Sequence, residues 1–105
     1  MTPLEELRDK VAAGIMPFTG GHHPEVFDPD GWQEAKAAFF GYLDGAFSLH
    51  KAVLPKGEVD SIMQFKSLCK WKVIIGVGEK HFTGEHELPA RAWLLAILAA
   101  KIEGE

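Results

Sequence analysis

The sequence predicts an α+β fold, a small antiparallel sheet sandwiched by helices in the order α-α-β-β-(β)-α. Three observations carry this. The run Lys70–Val77 puts apolar side chains at Trp71, Val73, Ile75 and Val77, the period of two of a strand with one buried face. Thr2-Pro3 and Asp28-Pro29 are each a capping residue followed by proline, the pattern of a helix start. Leu88–Ile102 is apolar in nearly every direction, so as a helix it needs cover on more than one side.

The first helix opens with Thr2 as cap, Pro3 at its first position and Glu5 closing a capping box. Leu4, Leu7, Val11 and Ile15 make one apolar stripe. Glu6 and Lys10 add an i,i+4 pair worth about 0.3 kcal/mol. Gly14 and Pro17 end the helix. Residues 17–29 hold three prolines and two glycines and read as a loop, of a length expected to be either functional or mobile.

Asp28 and Pro29 restart a helix whose stripe is Trp32, Ala35, Phe39, Leu43, Ala46 and His50, widened by Phe40 and Phe47. Gly41 and Gly45 interrupt it, each at a cost of about 1 kcal/mol relative to alanine. Either the helix packs closely at those glycines or it breaks near Tyr42, and the break is the expected outcome. Pro55-Lys56-Gly57 ends the segment. Ile62–Leu68 reads as a strand with Met63 and Phe65 on one face and Gln64 and Lys66 on the other. The wider stretch Glu58–Lys70 is open to two readings, strand or insertion. Lys70–Val77 is the clearest strand, and Lys80–Thr83 can form a short third before Gly84. Glu87 then sits favourably at the dipole of the last helix.

The 105 residues suit a single domain spanning 1–105, and 47% apolar residues suffice for a core. The net charge is −4, all of it in residues 1–52, where four basic side chains face eight acidic ones. Such a balance argues against generic nucleic-acid binding. Cys69 stands alone, so no intrachain disulfide forms; a reducing compartment and a buried structural cysteine are expected. Leu4-Glu5-Glu6 follows the start in place of a leader, and Ala92–Ala100 is too short to span a bilayer. The expected location is the cytoplasm.

Tyr42-Leu43-Asp44-Gly45-Ala46 leads to Val53-Leu54-Pro55-Lys56-Gly57; Trp71 then opens a strand, and Glu87-Leu88-Pro89-Ala90-Arg91-Ala92-Trp93 opens the closing helix. Over roughly residues 42–102 this resembles the phage ABA sandwich domain family. Glu58–Lys70 departs from the pattern, because that family has almost nothing between the helix end and the Trp-led strand. The resemblance implies a layered α/β/α domain of phage or prophage origin, acting in a host cell. It supplies no catalytic residues.

The chemistry the residues offer is sparse. His22-His23 and the group His81, Glu85 and His86 carry potential metal ligands, but no His-Glu-x-x-His or Cys-x-x-Cys spacing is present, so no metal is expected. No nucleophile has a positioned base, and neither glycine cluster has a dinucleotide-fold or Walker context. Thr19, Gly20, Gly21, His22 and His23 can turn backbone N–H groups toward an anion. Lys70 and Lys72 flank Trp71, a set compatible with a phosphate and a base. These eight residues form the expected ligand site. The expected function is non-enzymatic and without cofactor: binding a nucleotide-like signal or a host defence protein, with a virion or assembly accessory as the alternative and a small hydrolase as the outsider. The apolar 88–102 helix further suggests a homo-oligomer built through it.

Overall fold

The computed structural model describes residues 3–15, 29–54 and 57–104. These form α1 (Pro3–Ala13), α2 (Pro29–Phe39), α3 (Leu43–Val53), β1 (Glu58–Phe65), a 3-10 turn (Lys66–Leu68), β2 (Lys70–Val77), β3 (Lys80–His86) and α4 (Pro89–Gly104). The α+β class and the antiparallel sheet are those the sequence predicts. The caps Thr2 and Asp28 and most of the 17–29 loop lie outside the described residues.

Leu4, Leu7 and Val11 bury the stripe of α1, while Ile15, just past the helix end, is 57% exposed. Gly14 closes that helix at φ +76°, with its own N–H on the Val11 carbonyl and the Ile15 N–H on that of Lys10. This is the paired closure that needs a left-handed residue. The same device separates α2 from α3. Gly41 has φ +97° and donates to the Ala38 carbonyl, and Tyr42 donates to that of Ala37. The expected break is therefore present, and so is the close packing that stood as its alternative. A Cβ on Gly45 would lie 2.6 Å from the Ala37 Cβ, so α2 and α3 touch there.

The sheet order is β1-β2-β3, antiparallel throughout. Val59, Ile75 and Phe82 align across it, as do Ile62, Val73 and Gly84. Val73 and Ile75 are fully buried, Trp71 and Val77 pack against the core at its edge, and Lys70 is exposed. β1 begins at Glu58, four residues before the expected start, and a bulge between Val59 and Ser61 shifts its register. That polar, bulged opening hides the strand's period of two. The Glu58–Lys70 stretch is thus a strand and a turn. β3 runs on to His86, past Gly84, where a break was expected.

Gly84 continues the strand because it faces α4. A Cβ there would overlap the Ala92 carbonyl and the Ala96 backbone, so only glycine lets strand and helix approach this closely. α4 packs on β2 and β3 with one side and on α1, α2 and α3 with the other. The middle layer is therefore α4, where the sequence reading had put the sheet. Leu94, Ile97 and Leu98 are fully buried, each stabilising the fold by roughly 1.5–3 kcal/mol. The cover that an all-apolar helix demands comes from the same chain.

Candidate ligand site

Four chain segments meet where the C-terminus of α1, the start of β2, the end of β3 and the first turn of α4 converge. Ala12–Gly14, Lys70, Glu85, His86, Glu87 and Arg91 enclose an open cavity of about 300 Å³. Backbone closure at Gly14 shapes one wall, and the Gly14 Cβ position lies 3.8 Å from an Arg91 guanidinium nitrogen. Arg91 is held by α2. Its Nε–H donates to the Phe39 carbonyl at the end of that helix, and its guanidinium carbon lies 4.0 Å from the Phe39 ring centre. A cation at a helix C-terminus and over an aromatic face is favoured twice.

His86 is half-buried between strand and helix. The Leu88 N–H donates to its Nδ1 at 3.2 Å, so in the neutral ring Nε2 carries the proton. Burial is the main cause that holds its pKa below 6.5; Arg91 and Lys70 act in the same direction and Glu87 opposes them. The lining thus offers two cations, two carboxylates and a histidine biased toward its neutral form. This set can hold an anionic group and, on the carboxylates, the N–H donors of the same ligand.

Of the residues the sequence singled out, Lys70 lines this cavity. Trp71 is not in its lining, although it lies on the same face as its cross-strand partner His86; Trp71 packs at the edge of the core, and Lys70 and Lys72 take the other face. Lys72 is half-buried in the sheet between Met63 and Glu85. Thr19, Gly20, Gly21, His22 and His23 lie outside the described residues. Sequence reasoning missed Glu85, His86 and Glu87 as a lining, and Arg91. One signal for Arg91 was available: it is the only charge in the first turns of an otherwise apolar helix.

Two further clefts are present among the described residues. On the outer face of the sheet, His81 Nε2 and Asp60 Oδ2 approach to 3.0 Å across the middle strand. Gly76 makes room for that pair, since a Cβ there would lie 2.8 Å from Asp60 Oδ2. Asp60 thereby occupies one of the histidines considered for metal binding, and alternation sends His86 to the opposite face from His81 and Glu85. No cluster of three or more His, Cys, Asp or Glu side chains is placed to hold a metal among the described residues. An apolar cleft of about 370 Å³ lies between α3, β1 and α4, walled by Phe47, Leu54, Val59 and Trp93. Its floor is fixed by His50, which takes the Trp93 indole N–H on Nδ1 at 3.3 Å and lies 2.8 Å from the Gly57 carbonyl through Nε2.

The expectation of a buried cysteine is corrected. Cys69 is exposed, in the left-handed conformation at φ +52°, where the 3-10 turn feeds β2. No helix among the described residues is long and apolar enough to cross a membrane. Comparison of the chain with protein-family models, curated proteins and solved structures gives no match.

Proposed function

We propose that the chain is a non-enzymatic binding protein of the phage or prophage type. It counteracts host defence by holding a small nucleotide-like signal at the cavity formed by Lys70, His86 and Arg91. The single observation that carries the ligand class is that lining. Lys70 and Arg91 supply cations for a phosphate, and Glu85 and Glu87 supply acceptors for base or ribose donors. A volume near 300 Å³ is at the lower end for ligand pockets, roughly 300–1,000 Å³. That favours a mononucleotide-sized ligand over a dinucleotide. The resemblance over residues 42–102 supports phage or prophage origin, and the ligand lining favours the defence role over a virion one. Thr19 stands five positions after Gly14 in the chain, and we assign His22 and His23 to the same ligand.

Calorimetry with mononucleotides, cyclic dinucleotides and ADP-ribose-type signals tests this. One of them binds the wild type, binding weakens with salt because exposed charge pairs are screened, and the ligand is recovered unchanged. Lys70→Ala and the double change His22→Ala/His23→Ala each weaken binding, whereas Lys72→Ala has little effect. Silence across the panel, or indifference to Lys70→Ala, overturns the reading.

A second reading, a protein partner in the host or the virion, draws on one observation. Phe40, Tyr42, Leu43 and Phe47 cluster at the α2–α3 corner and are 54, 66, 47 and 50% exposed. Exposed apolar residues grouped in this way mark contact surfaces. This becomes the better account if the nucleotide panel is silent.

A further inference from the structure

With a nucleotide-like ligand in the cavity, the phosphate has its cations but the base has no flat surface to rest on. The lining holds Lys70, Arg91, His86, two glutamates and small residues, and no Phe, Tyr or Trp. Surfaces that hold an unpaired base commonly place an aromatic face against it. One such face lies a single strand away. Phe65 on β1 is directly opposite Lys70 on β2. Met63 is directly opposite Lys72, which is in turn opposite Glu85 on β3. Opposite residues in an antiparallel pair share a face. These five side chains therefore lie together on the outer face of the sheet, and α4 takes the other face with α1, α2 and α3 behind it. Lys70 and Glu85 also line the cavity, so the cavity opens onto this outer face. Phe65 stands one strand beyond Lys70, about 5 Å away.

We propose that Phe65 is the platform on which the base of that ligand stacks, and that the base is a purine. Phe65 and Met63 are each 38% exposed. Phe65 stacks on no other ring among the described residues, so its face is open to a ligand. Two residues apart on one face of a strand, Met63 and Phe65 make an apolar strip roughly 7 Å long. Fused rings cover such a strip more fully than a single ring does, and the methionine sulfur is a favourable neighbour for an aromatic edge. With the phosphate at Lys70 and Arg91, the ribose bridges the one-strand gap to Phe65. The carboxylates of Glu85 and Glu87 then accept from the ribose hydroxyls.

Calorimetry with AMP, UMP and ribose 5-phosphate separates the platform from the phosphate site on which it depends. The wild type binds AMP about tenfold more tightly than ribose 5-phosphate, with UMP between them. Phe65→Ala loses that margin: AMP falls to the level of ribose 5-phosphate, whose own affinity is unchanged. Phe65→Trp restores the margin, because it keeps an aromatic face. Lys70→Ala weakens all three ligands. A Phe65→Ala variant that holds AMP as the wild type does, while Lys70→Ala still weakens it, overturns the platform and leaves the phosphate site standing. So does a wild type with no preference for AMP over ribose 5-phosphate. A Phe65→Ala variant that loses both ligands alike also overturns the platform, since Phe65 then acts on the fold alone. UMP bound as tightly as AMP overturns the purine. Silence from all three overturns the platform and the cavity reading together. Should Phe65→Ala fail to fold, Phe65→Leu, which keeps apolar bulk without a ring, decides in its place.

Discussion

Trp93 of α4 donates its indole N–H to Nδ1 of His50 on α3, at 3.3 Å and within the core. The ring that accepts there contacts the Gly57 carbonyl on its other side, so one imidazole ties two helices to the start of the sheet. His50→Ala would leave the indole N–H and the carbonyl without this partner. Leaving the buried indole N–H unsatisfied costs about 1–3 kcal/mol, and a loss of that size is expected. Trp93→Phe removes the donor and some volume. Urea unfolding of both variants and of the double variant should show coupling of about 0.5–3 kcal/mol; strict additivity would mean the bond contributes nothing.

Gly84→Ala is expected to abolish cooperative folding. The added methyl meets helix backbone, which cannot swing aside as a side-chain tip can, so the cost exceeds the roughly 1–3 kcal/mol of ordinary overpacking. Thr83→Ala, one residue away and exposed, should stay within about 0.5 kcal/mol of the wild type. Thermal unfolding of the two side by side is the check.

Acid should weaken the fold through His86. Its pKa in the folded state lies below 6.5, with burial as the leading cause. The unfolded chain thus binds a proton more readily than the folded one. The contribution of His86 to stability is complete above the unfolded value and is lost as pH falls through the folded one. Stability measured in urea should decline below about pH 6.5. His86→Gln, which can still accept the Leu88 N–H, should show a shallower decline. Identical slopes would remove His86 from the account.

Cys69 should react with a thiol reagent in the folded protein without prior unfolding, because it is exposed. Its φ of +52° is one that a side chain resists. Cys69→Gly should raise stability by roughly 0.5–1 kcal/mol, the relief of that strain less the extra freedom glycine gives the unfolded chain. Labelling kinetics and an unfolding midpoint read the two effects separately.

The sequence made local features legible and left tertiary ones hidden. The start of α1, the break at Gly41, the faces of β2 and the apolar character of α4 follow from caps, φ requirements and periods contained in a few residues. The opening of β1 did not, because Glu58 to Ser61 is mostly polar and the bulge spoils the alternation. Gly84 read as a break because its function, close approach to α4, lies in another element. The cavity was legible only at Lys70. Its remaining polar lining comes from residues 85–91, and its opposite wall from residues 12–14, which only the folded chain brings together. Cys69 was expected inside on composition, and the turn geometry placed it outside.

The central position of α4 has a consequence for how the molecule comes into being. Among the described elements α1 packs chiefly against a helix that begins at Pro89, so it meets that partner only when nearly all of this sequence has been synthesised. Leu4, Leu7 and Val11 must spend that interval exposed or in provisional contacts. Such long-range closure slows folding and prolongs exposure to aggregation. Nascent chains stalled before residue 89 should therefore remain sensitive to protease, and those stalled once residue 104 has cleared the exit tunnel should become resistant together, as one unit.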